Sequence, residues 1–390
     1  MRPDRVLAVT LLLVVSCGAL AGQAVPGEGS AKPSAPKASS PAGIDRIAKE
    51  AQAARDEHRV DDAIALYKKG VGLKPSWDEG WWYLGSLYYD LDQFVPARDA
   101  FRHLTAVNPN AAPGWGMLGL CEYQTRQYDS ALAHLRRASE LGIGASADAI
   151  SDTIGYHLAL LLTRYEQYEQ AMKILSTFAQ RELSQPEYVE AMGLAALRKP
   201  VLPEELPPTE RELVMDVGRT MYDAAGLRTG AAALEFKRIL QKYPNEPNVH
   251  YLYGSFLMYA DADAGLAELK KELDISPAHV PSLVAIAIEY VRRHEFKDAL
   301  PYAEKAVLLG PESFAAHATL GRVLVEGDID PARGLRELEM AEKIAPDSPQ
   351  VRIALATAYT KAGRKEDAAR ERQEFLRLRK QNDENKTLAQ

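Results

Sequence analysis

The 390-residue sequence is nearly free of cysteine, with only Cys17 and Cys121. Two distant cysteines can build neither a zinc cage, which needs about four ligands, nor a disulfide framework. The eight histidines do not supply the missing ligands, because no two of them stand at metal-ligand spacing on one helical turn. We therefore expect no metal site and no disulfide scaffold.

The sequence also lacks an excess of basic residues and any recognisable catalytic motif. Lysine and arginine total 47 against 54 aspartates and glutamates, which gives a formal net charge of −7. A protein that tracks nucleic-acid phosphates needs a basic face, so we expect no nucleic-acid partner. No H-E-x-x-H, Walker loop or G-x-S-x-G pattern occurs, and the prediction is a non-enzymatic protein without a cofactor.

No apolar run is long enough for a comfortable membrane span, which takes about 20 residues. The longest run, Val6 to Val15, follows two arginines and precedes small residues, the layout of an export signal over residues 1–21. Cleavage would follow Ala21 or Ala24. Alternatively, "VVSC" resembles a bacterial lipobox, in which the signal ends before a lipid-modified Cys17. Either alternative predicts an exported protein, periplasmic, associated with the outer membrane or secreted.

Two segments have the composition of linkers or tails. Residues 22–43 are rich in proline, serine and alanine, without an apolar period, and favour a flexible tether. Residues 383–390 form a polar tail.

An internal repeat dominates the rest of the sequence. "EGWWYLGSLYYD", which begins at Glu79, matches "PGWGMLGLCEYQ", which begins at Pro113, after a shift of 34 residues. A period of 34 is typical of a helix-turn-helix repeat. The matched pairs are Gly80 with Gly114, Trp81 with Trp115, Leu84 with Leu118, and Gly85 with Gly119.

This pattern resembles the tetratricopeptide repeat (TPR) family. In residues 78–111 every position of the family pattern is filled, by Trp81, Leu84, Gly85, Tyr88, Ala97, Phe101 and Pro109. Gly85 and Ala97 are small where two helices approach closely, and Pro109 ends the second helix because it lacks an N–H. The resemblance implies an all-α fold, a right-handed α-solenoid of about eight to nine TPR-like helix-turn-helix units.

The same register explains a pattern that could suggest a nucleotide site. Gly114, Gly116 and Gly119 have the spacing G-x-G-x-x-G of a dinucleotide-binding turn. Such a turn follows a strand, whereas "AVNPNAAP" precedes these glycines and favours a turn. We therefore predict that they lie within the first helix of a repeat.

The period divides the chain into two arrays. The N-terminal array covers residues 44–185, and the C-terminal array covers 210–382 and ends in a capping helix. Between them, residues 186–209 combine one good first helix with a segment holding four prolines. The proline-rich residues 199–208 are either a degenerate repeat that keeps its packing face or a hinge or loop that faces a partner.

The family resemblance implies that a protein or peptide partner binds the concave face formed by the first helices. The usual groove positions carry mainly aromatic residues, serine and Arg322, and Arg164, Arg292 and Lys361 lie one position past them. The lysine and asparagine of the family's carboxylate clamp are absent. A carbohydrate- or polymer-handling module, stacking on a stripe of Trp82, Tyr89 and Tyr123, is the alternative. The candidate residues are Trp82, Ser86, Tyr89, Tyr123, Tyr156, Arg164, Tyr251, Ser255, Arg292, Arg322 and Lys361.

Overall fold

The structure, a computed structural model, describes residues 41–143 and 149–388 and contains no β-strand in these ranges. The predicted signal, the candidate lipidation at Cys17 and most of the 22–43 linker lie outside the described residues. The chain forms two compact units, which divide between Leu158 and Ala159, within α7. The all-α repeat fold predicted from the sequence is confirmed.

In residues 41–143, six helices precede the helix in which the chain divides, and they form three helical hairpins. They are α1 (Pro41–Asp56), α2 (Val60–Leu73), α3 (Asp78–Asp90), α4 (Phe94–Val107), α5 (Ala112–Gln124) and α6 (Tyr128–Glu140), followed by α7 (Ala149–Arg164).

The remaining described helices belong to the second unit. They are α8 (Tyr168–Gln180), α9 (Pro186–Ala196), α10 (Arg211–Ala225), α11 (Thr229–Lys242), α12 (Val249–Leu257), α13 (Ala262–Ile275), α14 (Val280–Arg292), α15 (Phe296–Leu309), α16 (Phe314–Glu326), α17 (Pro331–Ile344), α18 (Pro349–Lys361) and α19 (Lys365–Leu388). The last helix therefore continues into the predicted polar tail.

In four hairpins, a glycine of the first helix faces a large side chain of the second. A Cβ added to Gly85 of α3 would lie 2.8 Å from the ring of Phe101 on α4. The equivalent glycine of α16, Gly321, faces Leu338 of α17 at 2.6 Å. These distances are shorter than any ordinary contact, so a Cβ at either glycine would force the facing side chain to shift, and the helices approach closely where the repeat pattern predicts.

The closing prolines have a second role beyond ending helices. Near the start of five first helices, a side-chain N–H donates to the carbonyl of the proline six residues earlier. This bond ties the turn between two repeats to the helix that follows it. The donors are Trp81, Trp115, His250, His317 and Arg352.

The regular pairing changes at α9, which has no second helix of its own. It packs directly on α10, the next first helix, through two glycines. A Cβ at Gly193 would lie 2.0 Å from the carbonyl oxygen of Val214, and one at Gly218 would lie 2.0 Å from that of Val189. The backbones of α9 and α10 are therefore in contact.

Residues 197–210 occupy the chain between α9 and α10, with one 3-10 turn at Pro203–Glu205. Ion pairs attach this segment to the helices around it. Glu205 pairs with Arg164 at the end of α7, and Arg198 donates to Glu169 of α8 over 2.8 Å. The segment is ordered by these contacts even though its four prolines prevent a helix.

The C-terminal helix α19 covers the last repeat. Ala368 and Leu378 are buried, whereas Leu376 is exposed on the outer side among charged residues. A terminal repeat of a solenoid needs such a polar outer face.

Candidate functional site

The glycine-rich stretch lies inside α5 and has no phosphate-binding turn. A Cβ at Gly119 would lie 2.7 Å from Leu135 of α6, and one at Gly116 would lie 2.1 Å from the terminal methyl of Ile154 on α7. Both glycines therefore lie at close contacts between helices. Gly116 serves the contact with the next first helix, a role that its variable place in the repeat did not indicate.

We looked among the described residues for a metal site and for a reactive thiol. No group of three or more His, Cys, Asp or Glu side chains within them could hold a metal ion. Cys121 is fully buried in α5, and burial raises the pKa of its thiol, which keeps it protonated and unreactive. Among the helices that the structure describes, none has both the length and the apolar character for a membrane span.

In the first unit, the candidate residues of α3 are engaged within their own repeat. Trp82 is half-buried and packs edge-on against the buried ring of Phe101, with ring centroids 5.7 Å apart. The Ser86 hydroxyl donates to the Trp82 carbonyl over 2.9 Å. Tyr89 is only 5% exposed, because its ring packs against Phe94 at the start of α4. The structure thus does not present Tyr89 as part of an exposed aromatic stripe.

Tyr123 and Tyr156 come together through a residue that the sequence did not single out. The Tyr123 ring meets the buried His157 ring edge-on, with centroids 4.6 Å apart, and also contacts Tyr128. His157 in turn contacts the ring of its neighbour Tyr156. Because Tyr123 lies on α5 and His157 on α7, this aromatic cluster joins two successive first helices.

A second tyrosine–histidine pair joins two first helices in the second unit. Tyr251 of α12 packs edge-on against His279, the residue that precedes α14, with centroids 4.9 Å apart. Tyr251 hydrogen-bonds to Ser255, and burial raises the pKa of its phenol. The two candidates of α12 are therefore together, one turn apart on the same helix face.

His279 is held neutral in a defined tautomer. Burial, together with the charge of Arg198, lowers the pKa of His279 to about 4. His279 is the N-cap of α14: its Nδ1 accepts from the backbone N–H of Ser282 and contacts the Ser282 hydroxyl at 2.7 Å. The proton therefore sits on Nε2, which is buried and has no hydrogen-bond acceptor.

The candidate cations have local partners. Arg164 pairs with Glu205, as described above. Arg322 donates to Glu326 over 2.7 Å near the end of α16, and Lys361 donates to the carbonyl of Val325 over 2.6 Å. Positive charge at the C-terminal end of a helix is favourable, so Lys361 has a capping role towards α16.

Arg292 is 65% exposed but forms a two-pronged pair with Glu289 on its own helix. Its Nε and Nη2 donate to the two carboxylate oxygens over 2.7 and 2.6 Å. Arg293 also donates to Glu289 and reaches Asp263 of α13 over 2.7 Å. The buried carboxylate of Glu289 on α14 thus accepts hydrogen bonds from both arginines.

This pairing predicts a loss of stability in acid. Hydrogen bonds from Arg292 and Arg293 hold the pKa of Glu289 below its ordinary value. A carboxylate with a lowered folded-state pKa stabilises the fold above its unfolded pKa, and this contribution is lost as the pH falls through the folded one. We expect Glu289→Gln to lower the melting temperature at neutral pH. On acidification to about pH 3, the melting temperature of the variant should fall by less than that of the wild-type protein.

The matched control for this measurement is Glu295→Gln, which changes an exposed carboxylate beside the same helix. Its melting temperature should follow the wild-type protein at each pH. Equal acid sensitivity of wild type and Glu289→Gln would contradict the prediction.

The sequence did not indicate His157, His279 or Arg198. His157 and His279 hold equivalent roles but stand at different positions of their repeats, so the period of 34 does not align them. Arg198 adopts φ +53° in the turn after α9, and its guanidinium lies 4.5 Å from the ring centroid of Tyr168. A basic residue in such a turn is common, so the sequence gives no reason to single it out. Its partners, Glu169 and Tyr168, are identified only by the structure.

Comparison with known proteins agrees with this architecture. A tetratricopeptide-repeat family model matches residues 84–146, and the model described as "Cilia and flagella-associated protein 70 middle TPR-like domain" matches residues 220–379. The chain is a tetratricopeptide-repeat protein. It matches no curated protein in sequence.

Several solved structures resemble part of this TPR protein. MamA residues 41 to the end, from Desulfovibrio magneticus RS-1, is 19% identical, with a TM-score of 0.39 over 43% of this chain and 96% of that chain. "MamA RS-1 ArsTM double mutant" is 20% identical, with a TM-score of 0.38 over 43% and 95%. "Crystal structure of MamA protein" is 18% identical, with a TM-score of 0.36 over 52% and 92%. The likeness concerns the helical-repeat fold.

Proposed function

We propose that this TPR protein is a non-enzymatic scaffold of the bacterial cell envelope that binds a protein or peptide partner on its first helices. The observation that carries the proposal is the pair of tyrosine–histidine contacts, Tyr123 with His157 and Tyr251 with His279. Each connects two successive first helices through a half-buried tyrosine. Aromatic side chains that stay partly exposed are typical anchors of protein interfaces.

The envelope location rests on the export signal predicted for residues 1–21, with cleavage or with a lipid on Cys17. The mass of the mature N-terminus distinguishes these two forms. The polymer-handling alternative depends on a continuous stripe of exposed rings, and the burial of Tyr89 interrupts it. The function that we propose is therefore the binding of a protein or peptide partner.

The test is site-specific photocrosslinking in the native cell. A benzophenone amino acid replaces Tyr156, half-buried beside the aromatic cluster, and in a second strain it replaces Val95, which is exposed on the second helix α4. We expect a discrete protein adduct from position 156 and none from position 95. No adduct from position 156, or equal adducts from both, would contradict a partner site on the first helices.

A further inference from the structure

The missing second helix after α9 leaves a cavity of about 430 Å³ beside the segment that replaces it. Its walls come from three places: residues 197–207, Glu210 before α10, and residues 246–248 before α12. An ordinary repeat has a second helix at this point of the chain. Here the four prolines prevent one, and the segment that contains them lines the cavity.

Apolar groups form one part of the lining. Leu197, Val201 and Leu206 contribute aliphatic surface, and prolines at 200, 207 and 247 form rigid edges. Leu197 and Leu206 belong to the buried core of this region, and Val201 packs against it. The apolar wall is therefore fixed to the fold.

The charged groups of the lining are unevenly satisfied. Glu205 is paired with Arg164, and Arg198 with Glu169. Lys199 lies 2.6 Å from Glu210 but 3.5 Å from Glu246. Lys199 is therefore shared between two carboxylates, and Glu246, which is 31% exposed, has the longer and weaker of the two contacts.

A second acceptor lies two residues away. The backbone N–H of Asn248 donates to Glu272 and its Nδ2 donates to the carbonyl of Leu197, over 2.9 and 3.0 Å. These two bonds fix the side chain, whereas its Oδ1 is buried and has no donor. On both sides of Pro247, the groups that can form further hydrogen bonds are therefore acceptors, the Glu246 carboxylate and Asn248 Oδ1.

We propose that this cavity receives a basic side chain, arginine or lysine, of the partner polypeptide. A long aliphatic stem fits the wall of Leu197, Val201 and the prolines, and the cationic head meets Glu246. Lys199 keeps its short pair with Glu210, so the guest takes only the longer contact. The site deepens the proposed function, since it names the chemistry that the partner brings.

The test is binding of amino-acid amides to the full chain, followed by calorimetry and ligand-observed NMR. Nα-acetyl-arginine amide and Nα-acetyl-lysine amide are the probes, and the citrulline amide is the uncharged isostere. A single side chain binds weakly, so titration extends to about 50 mM. We expect saturable binding of the cationic probes and at least about fivefold weaker binding of citrulline, because a charged head strengthens the bond to a carboxylate.

Two matched variants locate the site. Glu246→Gln should weaken arginine-amide binding at least about fivefold by removing the charge at the cavity. Glu212→Gln, an equal charge change at the exposed partner of Lys242, should leave binding unchanged. Melting temperatures of both variants equal to that of the wild-type protein show that the fold is kept.

Four results would overturn the inference: no saturable binding, equal binding of citrulline and arginine amides, binding that Glu246→Gln leaves unchanged, or tighter binding of a further probe, Nα-acetyl-glutamate amide. The last result would mean that the guest is acidic. The outcome is separate from the proposed function: a photocrosslinked partner without arginine-amide binding refutes only the cavity. Arginine-amide binding without a photocrosslinked partner refutes only the scaffold.

Discussion

Gly218→Ala is expected to destabilise the second unit by about 3 kcal/mol or more, the upper range for overpacking a close contact. The added Cβ would lie 2.0 Å from the carbonyl oxygen of Val189 and 3.0 Å from the amide nitrogen of Gly193. Both are backbone atoms of α9, so no side chain can rotate away. The two helices must separate, and the fold loses the contact that replaces a missing second helix.

Helix propensity acts in the opposite direction but is too small to compensate. Alanine is better than glycine within a helix by about 1 kcal/mol. Gly230→Ala isolates this effect, because a Cβ at Gly230 of α11 meets no atom within 4 Å. We expect that control to melt at or above the wild-type temperature.

Thermal and urea denaturation followed by circular dichroism measure both variants. Gly193→Ala, whose Cβ would lie 2.0 Å from the Val214 carbonyl, should repeat the effect from the other helix. If Gly218→Ala and Gly230→Ala unfold at the same urea concentration, α9 and α10 are not in direct backbone contact.

The repeat architecture could be predicted from sequence because its determinants are local and periodic. Gly85, Gly119 and Gly321 each face a large side chain of the second helix of their own hairpin. One small and one large residue at nearly constant spacing specify such a hairpin, and a solenoid repeats this contact between neighbours. The same period revealed the G-x-G-x-x-G as part of a helix.

The candidate site was less predictable. Whether a side chain at a groove position is free to contact a ligand depends on neighbouring residues that are not part of the repeat pattern. Tyr89 occupies a groove position in the register, yet Phe94 of the next helix buries its ring. Arg292 and Arg322 stand at exposed positions, yet each has a glutamate within one turn. These neighbours vary from repeat to repeat, so the period gives no information about them.

Glu272→Ala is the second large effect that we expect, a loss of about 3 kcal/mol or more from two orphaned backbone donors. Glu272 is fully buried on α13, with 0% of its surface exposed. Its Oε1 accepts from the backbone N–H of Asn248 over 2.9 Å, and its Oε2 accepts from that of Tyr251 over 3.2 Å. The glutamate therefore caps α12 from the opposite helix of the hairpin.

This cap is needed because α12 lacks the usual one. Asn248, the residue before α12, has φ +73°, and its side chain makes no capping bond but reaches Leu197 instead. Without Glu272, the first turn of α12 would keep two N–H groups without an acceptor. Such a buried donor costs about 1–3 kcal/mol, and the lost side chain leaves a cavity beside Tyr251.

Asp274→Ala is the control on the same helix, since it removes an exposed carboxylate two residues further along. Urea denaturation should show a strongly lowered midpoint for Glu272→Ala and a midpoint near wild type for Asp274→Ala. Glu272→Gln should lie between wild type and Glu272→Ala, because the amide oxygen can accept from one N–H while the amide nitrogen faces the other. A Glu272→Ala protein as stable as Asp274→Ala would mean that α12 begins without the help of α13. In that case neither Tyr251 nor the Asn248 edge of the cavity would be held by this carboxylate.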